Sequence, residues 1–315
     1  MNKNNIINFL NLTIMLIVVV SFIIVICTFN NAETKFLIKD TLPNGNGRSA
    51  KIIILAGQSN ASGCSRDDYL KLNVSKEKYQ EYDKGYDNVF INYFCSANNI
   101  SSEFVKCKND QGEINGFFGP ELGLAEKLNQ MYPDQLFFII KYAWGGTNLF
   151  EQWLSPSSFG KTGVLYTQFI NYTNNSIKYL ISKNYKINIE GLCWMQGESD
   201  SFSVDNATDY AQNLVNFIED NRKRLDKYSS NDGIAFIDAY IADNPMYWVY
   251  CDLINESKQE VSSLSELNIV IDTNSYGLTC SNEPEENVDM AHYDSMSEIK
   301  LGHLFAEYIS KYFDV

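Results

Sequence analysis

The chain contains two histidines, and one of them, His292, stands three residues after Asp289. Far upstream, Gly57-Gln58-Ser59-Asn60 sets a serine directly behind an apolar run and a glycine. A serine hydroxyl must lose its proton to attack a carbonyl carbon. Imidazole can take that proton near neutral pH, and a carboxylate can fix the ring tautomer and stabilise the imidazolium. These residue types therefore point to acyl transfer through a covalent serine intermediate. Asp289 and His292, three apart in a loop before a helix, can both face one direction; Asp294, after the histidine, is a second choice for the acid.

Two further segments could share that site. Tyr142-Ala143-Trp144-Gly145-Gly146-Thr147 carries paired glycines, whose backbone N–H groups can approach a ligand closely. Trp194-Met195-Gln196-Gly197-Glu198-Ser199-Asp200 sets a side-chain amide and two carboxylates beyond another apolar run. Glu198 and Asp200 are expected to hold loops by accepting backbone hydrogen bonds. Trp144 and Trp194 either pack the core or stack on a sugar. His303, beside Leu301 and Leu304 in a helical pattern, reads as a packing residue. The lipase-type elbow, with glycines two residues either side of the serine, fits poorly because Ala61 holds the second position.

The elements that would position these segments alternate along the chain. Ile52-Ile53-Ile54-Leu55-Ala56 is a short continuous apolar run, as are Leu136 to Tyr142, Ile189 to Met195 and Ile234 to Ile241. Such runs, bounded by turn residues, predict strands buried on both faces of a parallel sheet. Val89 to Phe94 and Leu267 to Ile271 are weaker strands. Helical patterns start at Pro120 and run from Val164 to Lys183, Asp209 to Leu225 and Ser295 to Phe313. The alternation predicts an α/β fold with helices on both faces of a mainly parallel sheet, and ligands beyond the carboxyl ends of the strands.

The Gly-Gln-Ser-Asn, Gly-Gly-Thr, Trp-x-Gln-Gly-Glu-x-Asp and Asp-x-x-His blocks, in this order, resemble the SGNH-hydrolase superfamily. The match is to its carbohydrate-esterase branch, with sialate O-acetylesterase-like and acetylxylan-esterase-like domains. Phe118-Gly119-Pro120-Glu121-Leu122-Gly123 also looks like a segment of that branch, and the resemblance covers about residues 50–312. It implies a three-layer α/β/α, flavodoxin-like domain and a serine esterase that removes O-acetyl groups from carbohydrate. By motif it implies Ser59 as nucleophile, His292 as base and then acid, and Asp289 as the orienting carboxylate. It also implies oxyanion donors from the backbone of Ser59 and Gly146, beside Gly145, and from the Gln196 amide. Its rivals are a lipid or thioester hydrolase on the same scaffold and a silent glycan-binding surface protein.

The first residues form a separate part. Ile6 to Phe29 is almost wholly apolar and, as a helix of about 1.5 Å per residue, would span roughly 36 Å against a hydrocarbon core of about 30 Å. Its exit shows no small-x-small cleavage site, which favours an uncleaved signal-anchor at residues 1–30, type II, over a cleaved and secreted form. A polar stalk over 31–50 and an esterase domain over 51–315 would follow, with the domain outside the cytosol. Asn-x-Ser/Thr triplets at Asn60, Asn73, Asn99, Asn171, Asn174, Asn206 and Asn255 agree with a glycoprotein. The six cysteines beyond the anchor are compatible with disulfides, although Cys193 reads as a buried free thiol. No His/Cys group has metal-ligand spacing and no cofactor is expected. A net charge of −14 without a basic stripe argues against nucleic acid as a partner.

Overall fold

The computed structural model describes residues 36–96, 99–229 and 233–313. Its centre is β1 (Ser49–Gly57), flanked by β7 (Leu136–Ala143) and β8 (Lys186–Met195). Beyond β8 lie β9 (Ala235–Ala239) and β10 (Asn268–Ile271); beyond β7 lies β3 (Val89–Cys95). All five of those pairings are parallel. Among the described residues, only β4 (Asn99–Ile100) and β5 (Val105–Lys106) join the sheet antiparallel, both on β3, while β2 (Ser65–Arg66) and β6 (Phe117–Phe118) pair separately. The apolar runs became strands because both faces are covered: Ile52 to Ala56 and Phe137 to Ile140 have no exposed surface.

Alternation along the strands shows the two covering layers. On β8, Trp194 packs its ring 4.6 Å from Phe217 of α6 (Val204–Leu225). Gly191, three residues earlier and so on the opposite face, lies against Ile309 of α8 (Ser295–Ile309). On β7, Tyr142 meets Phe169 of α5 (Val164–Ser182). On the α8 side, α4 (Pro120–Met131) packs against α8 with almost nothing between them. A Cβ on Gly302 would stand 2.1 Å from the Pro120 carbonyl oxygen and 2.4 Å from the Leu124 nitrogen. A Cβ on Gly123 would stand 2.0 Å from the Ile299 carbonyl oxygen. Two helix backbones touch there because neither residue has a side chain.

All six predicted strands and all four predicted helices are present, with shifted ends. The strand over 234–241 narrows to Ala235–Ala239, α6 begins at Val204 rather than Asp209, and α8 ends at Ile309 before a 3₁₀ turn. Four helices were not predicted: α1 (Ser59–Ser62), α2 (Asp67–Asn73), α3 (Lys76–Lys84) and α7 (Cys251–Ser262). The apolar segment over 6–29 lies outside the described residues, among which no helix is long and apolar enough to cross a membrane. The part of the expected stalk that is described runs along the domain. Phe36 sets its ring 5.1 Å from Tyr172 and 5.5 Å from Phe94, and Gly45 N–H donates to the Lys183 carbonyl at 2.6 Å. The six described cysteines are all free thiols, Cys193 among them and fully buried.

The α4–α8 contact gives a direct test. Gly302→Ala forces a methyl group into backbone rather than into a movable side chain, and should cost at least about 1–3 kcal/mol. Urea unfolding of the variant checks it; an unchanged midpoint would contradict the close approach.

Candidate active site

Register brings the chemistry-bearing segments to one place. Gly57, the last residue of β1, is level with Ala143 of β7 on one side and Met195 of β8 on the other. Three chains therefore leave the sheet at the same height, where strand order reverses direction about β1 and a crevice opens. Gly57 holds φ at 143°, and a Cβ there would overlap the Met195 carbonyl oxygen at 1.9 Å. Only glycine fits, and the chain then turns at once into α1 with Ser59 at its first position.

Ser59 is partly exposed, between the buried Gln58 and Asn60. Its backbone N–H makes no hydrogen bond among the described residues. The two neighbours do the holding. Gln58 Oε1 accepts from Gln196 Nε2 at 3.2 Å, Ser199 N at 3.2 Å and Gly197 N at 3.4 Å, fixing the loop after β8. Asn60 Nδ2 donates to Glu198 at 2.8 Å and to the Ala291 carbonyl at 3.4 Å, and Asn60 Oδ1 accepts from Tyr293 N–H at 3.2 Å. Ala291 and Tyr293 are the residues on either side of His292. No hydrogen bond joins the Ser59 hydroxyl to the imidazole; the residue after Ser59 instead grips the backbone on both sides of the histidine.

His292 Nδ1 and Asp289 Oδ2 are 2.6 Å apart, and Asp289 Oδ1 also accepts from the Ala291 N–H. Burial lowers the imidazole pKa, but the Asp289 hydrogen bond and the charges of Asp289, Glu113 and Glu198 outweigh it, so the ring sits above its ordinary value of 6.5. For Asp289, burial works upward and the bond to His292 downward; the bond wins and keeps the acid ionised. Asp294, the second choice, is turned away. It accepts from Asn282 N–H at 3.1 Å and Glu283 N–H at 2.9 Å, and ties down the loop before Asp289.

Gly145 and Gly146 follow β7 as expected but differ from each other. Gly145 N–H donates to Ser96 Oγ at 2.9 Å, whereas Gly146, at φ 68°, is exposed with its N–H unpaired among the described residues. The expectation for the Gln196 amide needs correcting. Its Nε2 is divided among Asp200 Oδ2 at 2.6 Å, the Thr147 carbonyl at 3.0 Å and Gln58, and the side chain has no exposed surface. An amide so fully engaged joins three loops and has no donor left to offer a substrate. Asp200 also accepts the backbone N–H groups of Leu149 and Phe150, as expected of a loop holder. Burial pushes its carboxyl up to about 6, against those hydrogen bonds.

Sequence reading missed Glu113, which no motif contains. It accepts from Ser62 Oγ at 2.6 Å and from Cys64 Sγ at 3.4 Å, and lies against Gly145. Burial and then the Glu113 charge push the Cys64 thiol well up, away from the reactive thiolate form. Trp144 and Trp194 are both core residues, Trp194 wedged between Trp153 and Phe217. His303 pairs with Glu126 at 2.8 Å. Asn60, one of the glycosylation triplets, is buried with both ends of its amide engaged and is closed to a glycan. The ligand atoms of Asp243, Cys251 and Asp252 lie within 4.8 Å of one another, and no candidate site residue belongs to that group.

The model of the family described as carbohydrate esterase, sialic acid-specific acetylesterase, matches residues 49–311. Among solved structures, a protein from Arabidopsis thaliana superposes with a TM-score of 0.58 at 20% identity, over 87% of this chain and 100% of that one. NanS superposes with a TM-score of 0.60 at 18% identity, over 84% and 98% of the two chains. A carbohydrate acetylesterase from Xanthomonas citri gives 0.52 at 16% identity, over 81% of this chain and 55% of that one. These likenesses establish the fold. No curated protein matches the chain.

Replacing Asn60 isolates the clamp. Asn60→Ala leaves the Tyr293 N–H and Glu198 without their partner in a buried site, and should lower stability by about 1–3 kcal/mol. Denaturant unfolding measures it; wild-type stability would show that the Asn60 bonds do not hold the loop.

Proposed function

This chain belongs to the carbohydrate esterase, sialic acid-specific acetylesterase family and is a carboxylic ester hydrolase, and we propose that it removes O-acetyl groups from carbohydrate through Ser59, His292 and Asp289. The observation that carries the reading is the 2.6 Å Asp289–His292 contact, anchored through Ala291 and Tyr293 to the residue that follows Ser59. In the first half-reaction the Ser59 oxygen attacks the acetyl carbonyl carbon as its proton passes to His292 Nε2. Asp289 holds Nδ1–H and stabilises the imidazolium. The carbon–oxygen bond to the sugar breaks, and His292 returns the proton to the departing sugar oxygen. In the second, water loses a proton to His292, attacks the acetyl-serine and releases acetate. The free N–H groups of Ser59 and Gly146 are the proposed donors to the oxyanion, where loss of one typically costs about 10²–10³ in rate. The apolar stretch over 6–29 supports a type II anchor that keeps the domain outside the cytosol.

Ser59→Ala should lower p-nitrophenyl acetate hydrolysis by at least about 10⁴-fold with the domain still folded; turnover near the wild-type rate would reject the serine. The base must be neutral to accept a proton, and its pKa is raised, so the acid limb of kcat/KM should have its midpoint above about 6.5. Glu113 is one of the charges that raise it. Glu113→Gln should therefore move that limb to lower pH, measured as kcat/KM against pH; a limb that stays put or moves up would contradict the assignment of His292.

A further inference from the structure

The segments that follow β1, β7, β8, β9 and β10 (residues 58–66, 144–163, 196–203, 240–250 and 272–294) leave the sheet at the end where the candidate site lies, and carry ten carboxylates against two cations, Arg66 and Lys161. Arg66 is taken: it pairs with Asp68 and with Glu286 at 3.8 Å. The segment after β3 adds Glu113 at the site. Its two lysines lie near the start of that strand instead, Lys106 on Asp87 and Lys108 against Gly85. Lys141 and Lys258 are wholly buried and each is matched at 2.6 Å, by Glu121 and by Asp238. The charges acting most strongly on His292 are Asp289, Glu113 and Glu198, and those on Cys64 are Glu113, Asp289 and Glu298. All are carboxylates.

Lys161 does not alter the balance. It lines a cleft of about 400 Å³ between the loop after β7 and α6, which also carries Glu151 and Asp209. The remaining polar lining is carboxamide, from Gln212, Asn213 and Asn216, and the apolar lining includes Phe150 and the fully exposed Phe159. An aromatic face with side-chain amides is suited to the C–H face and hydroxyls of an uncharged sugar ring. One buried residue ties the loop that lines the cleft to the loop after β8: Asp200 accepts from the backbone N–H groups of Leu149 and Phe150 and from Gln196.

We propose that the substrate is an acetylated saccharide without a carboxylate, that this site discriminates against sialic acid, and that the cleft between the loop after β7 and α6 takes a neighbouring neutral sugar unit. The proposal rests on the esterase reading above and names its substrate class. Sialic acid carries its own carboxylate at neutral pH, which would enter a field of the same sign; among the described residues of these segments, Arg66 is already paired and Lys161 lies in the cleft. Like charges set against each other in a binding site cost enough to reduce binding strongly.

The test follows acetate release by the intact protein from three substrates at low ionic strength: an acetylated neutral xylo-oligosaccharide, an O-acetylated sialic acid, and that sialic acid as its carboxyl methyl ester. The methyl ester should be processed with a kcat/KM about tenfold or more above that of the free acid, the neutral oligosaccharide should exceed both, and added salt should narrow the first gap. Equal or faster turnover of the free acid overturns the proposal while leaving the esterase reading intact. No turnover of any substrate, with p-nitrophenyl acetate inert as well, removes the esterase reading and the proposal with it. Phe159→Ala should raise KM for the oligosaccharide more than it lowers kcat; an unchanged KM removes the cleft from the account.

Discussion

One buried carboxamide holds together parts of the chain that sequence keeps far apart. Asn60 touches Glu198, 138 positions away, and Ala291 and Tyr293, more than 230 positions away. Oxygen and nitrogen of a single amide thus set the turn after β1, the loop after β8 and the loop bearing His292. Gln58 and Asp200 extend the lattice to the loop after β7. Groups of this kind are costly to bury unless every partner is in place, which makes the arrangement close to all-or-none. A parallel sheet supplies the level platform at Gly57, Ala143 and Met195, and the amides turn it into a site of defined geometry.

Charge is handled in two ways. Inside the sheet, cations are met one to one: Lys141 lies on Glu121, and Lys258 lies on Asp238, whose carboxyl burial pushes up to about 6 against the lysine's pull. At the carboxyl ends of the strands the balance is abandoned and acids dominate. That surplus has two consequences for the proposed chemistry. It raises the affinity of His292 for a proton, which makes it a stronger base, and it presents a negative field to whatever approaches. On the proposed reading, a neutral acetyl ester is not repelled by that field, whereas an anionic sugar is.

Much of this was legible in the sequence, for physical reasons. Strands covered on both faces must be apolar at every position, so Ile52 to Ala56 and Phe137 to Ile140 stood out as unbroken runs. The blocks around Ser59, Gly146, Gln196 and His292 were visible because turn and site chemistry demands particular residues at fixed spacing. What failed was anything that breaks a period or depends on direction. Helix α7 was missed because its buried face, which holds Cys251, Ile254 and Val261, is interrupted by Ser257 and by Lys258, the latter reaching Asp238. Helices α2 and α3 bury only Leu70 and Tyr82. Gln196 follows β8, but which way its amide points is decided by Asp200, Thr147 and Gln58, and no single motif encodes that. Glu113 comes to the site from a loop whose sequence has no signature.

The central claim is that Ser59 is a nucleophile made reactive by the Asp289–His292 pair. The measurement that meets it most directly is reaction of the intact protein with a fluorophosphonate, followed by mass-spectrometric mapping of the modified peptide. The account predicts a single adduct on Ser59, formed faster as pH rises through the His292 titration and abolished by heat unfolding. An unlabelled protein, or an adduct on another residue with Ser59 untouched, would contradict it.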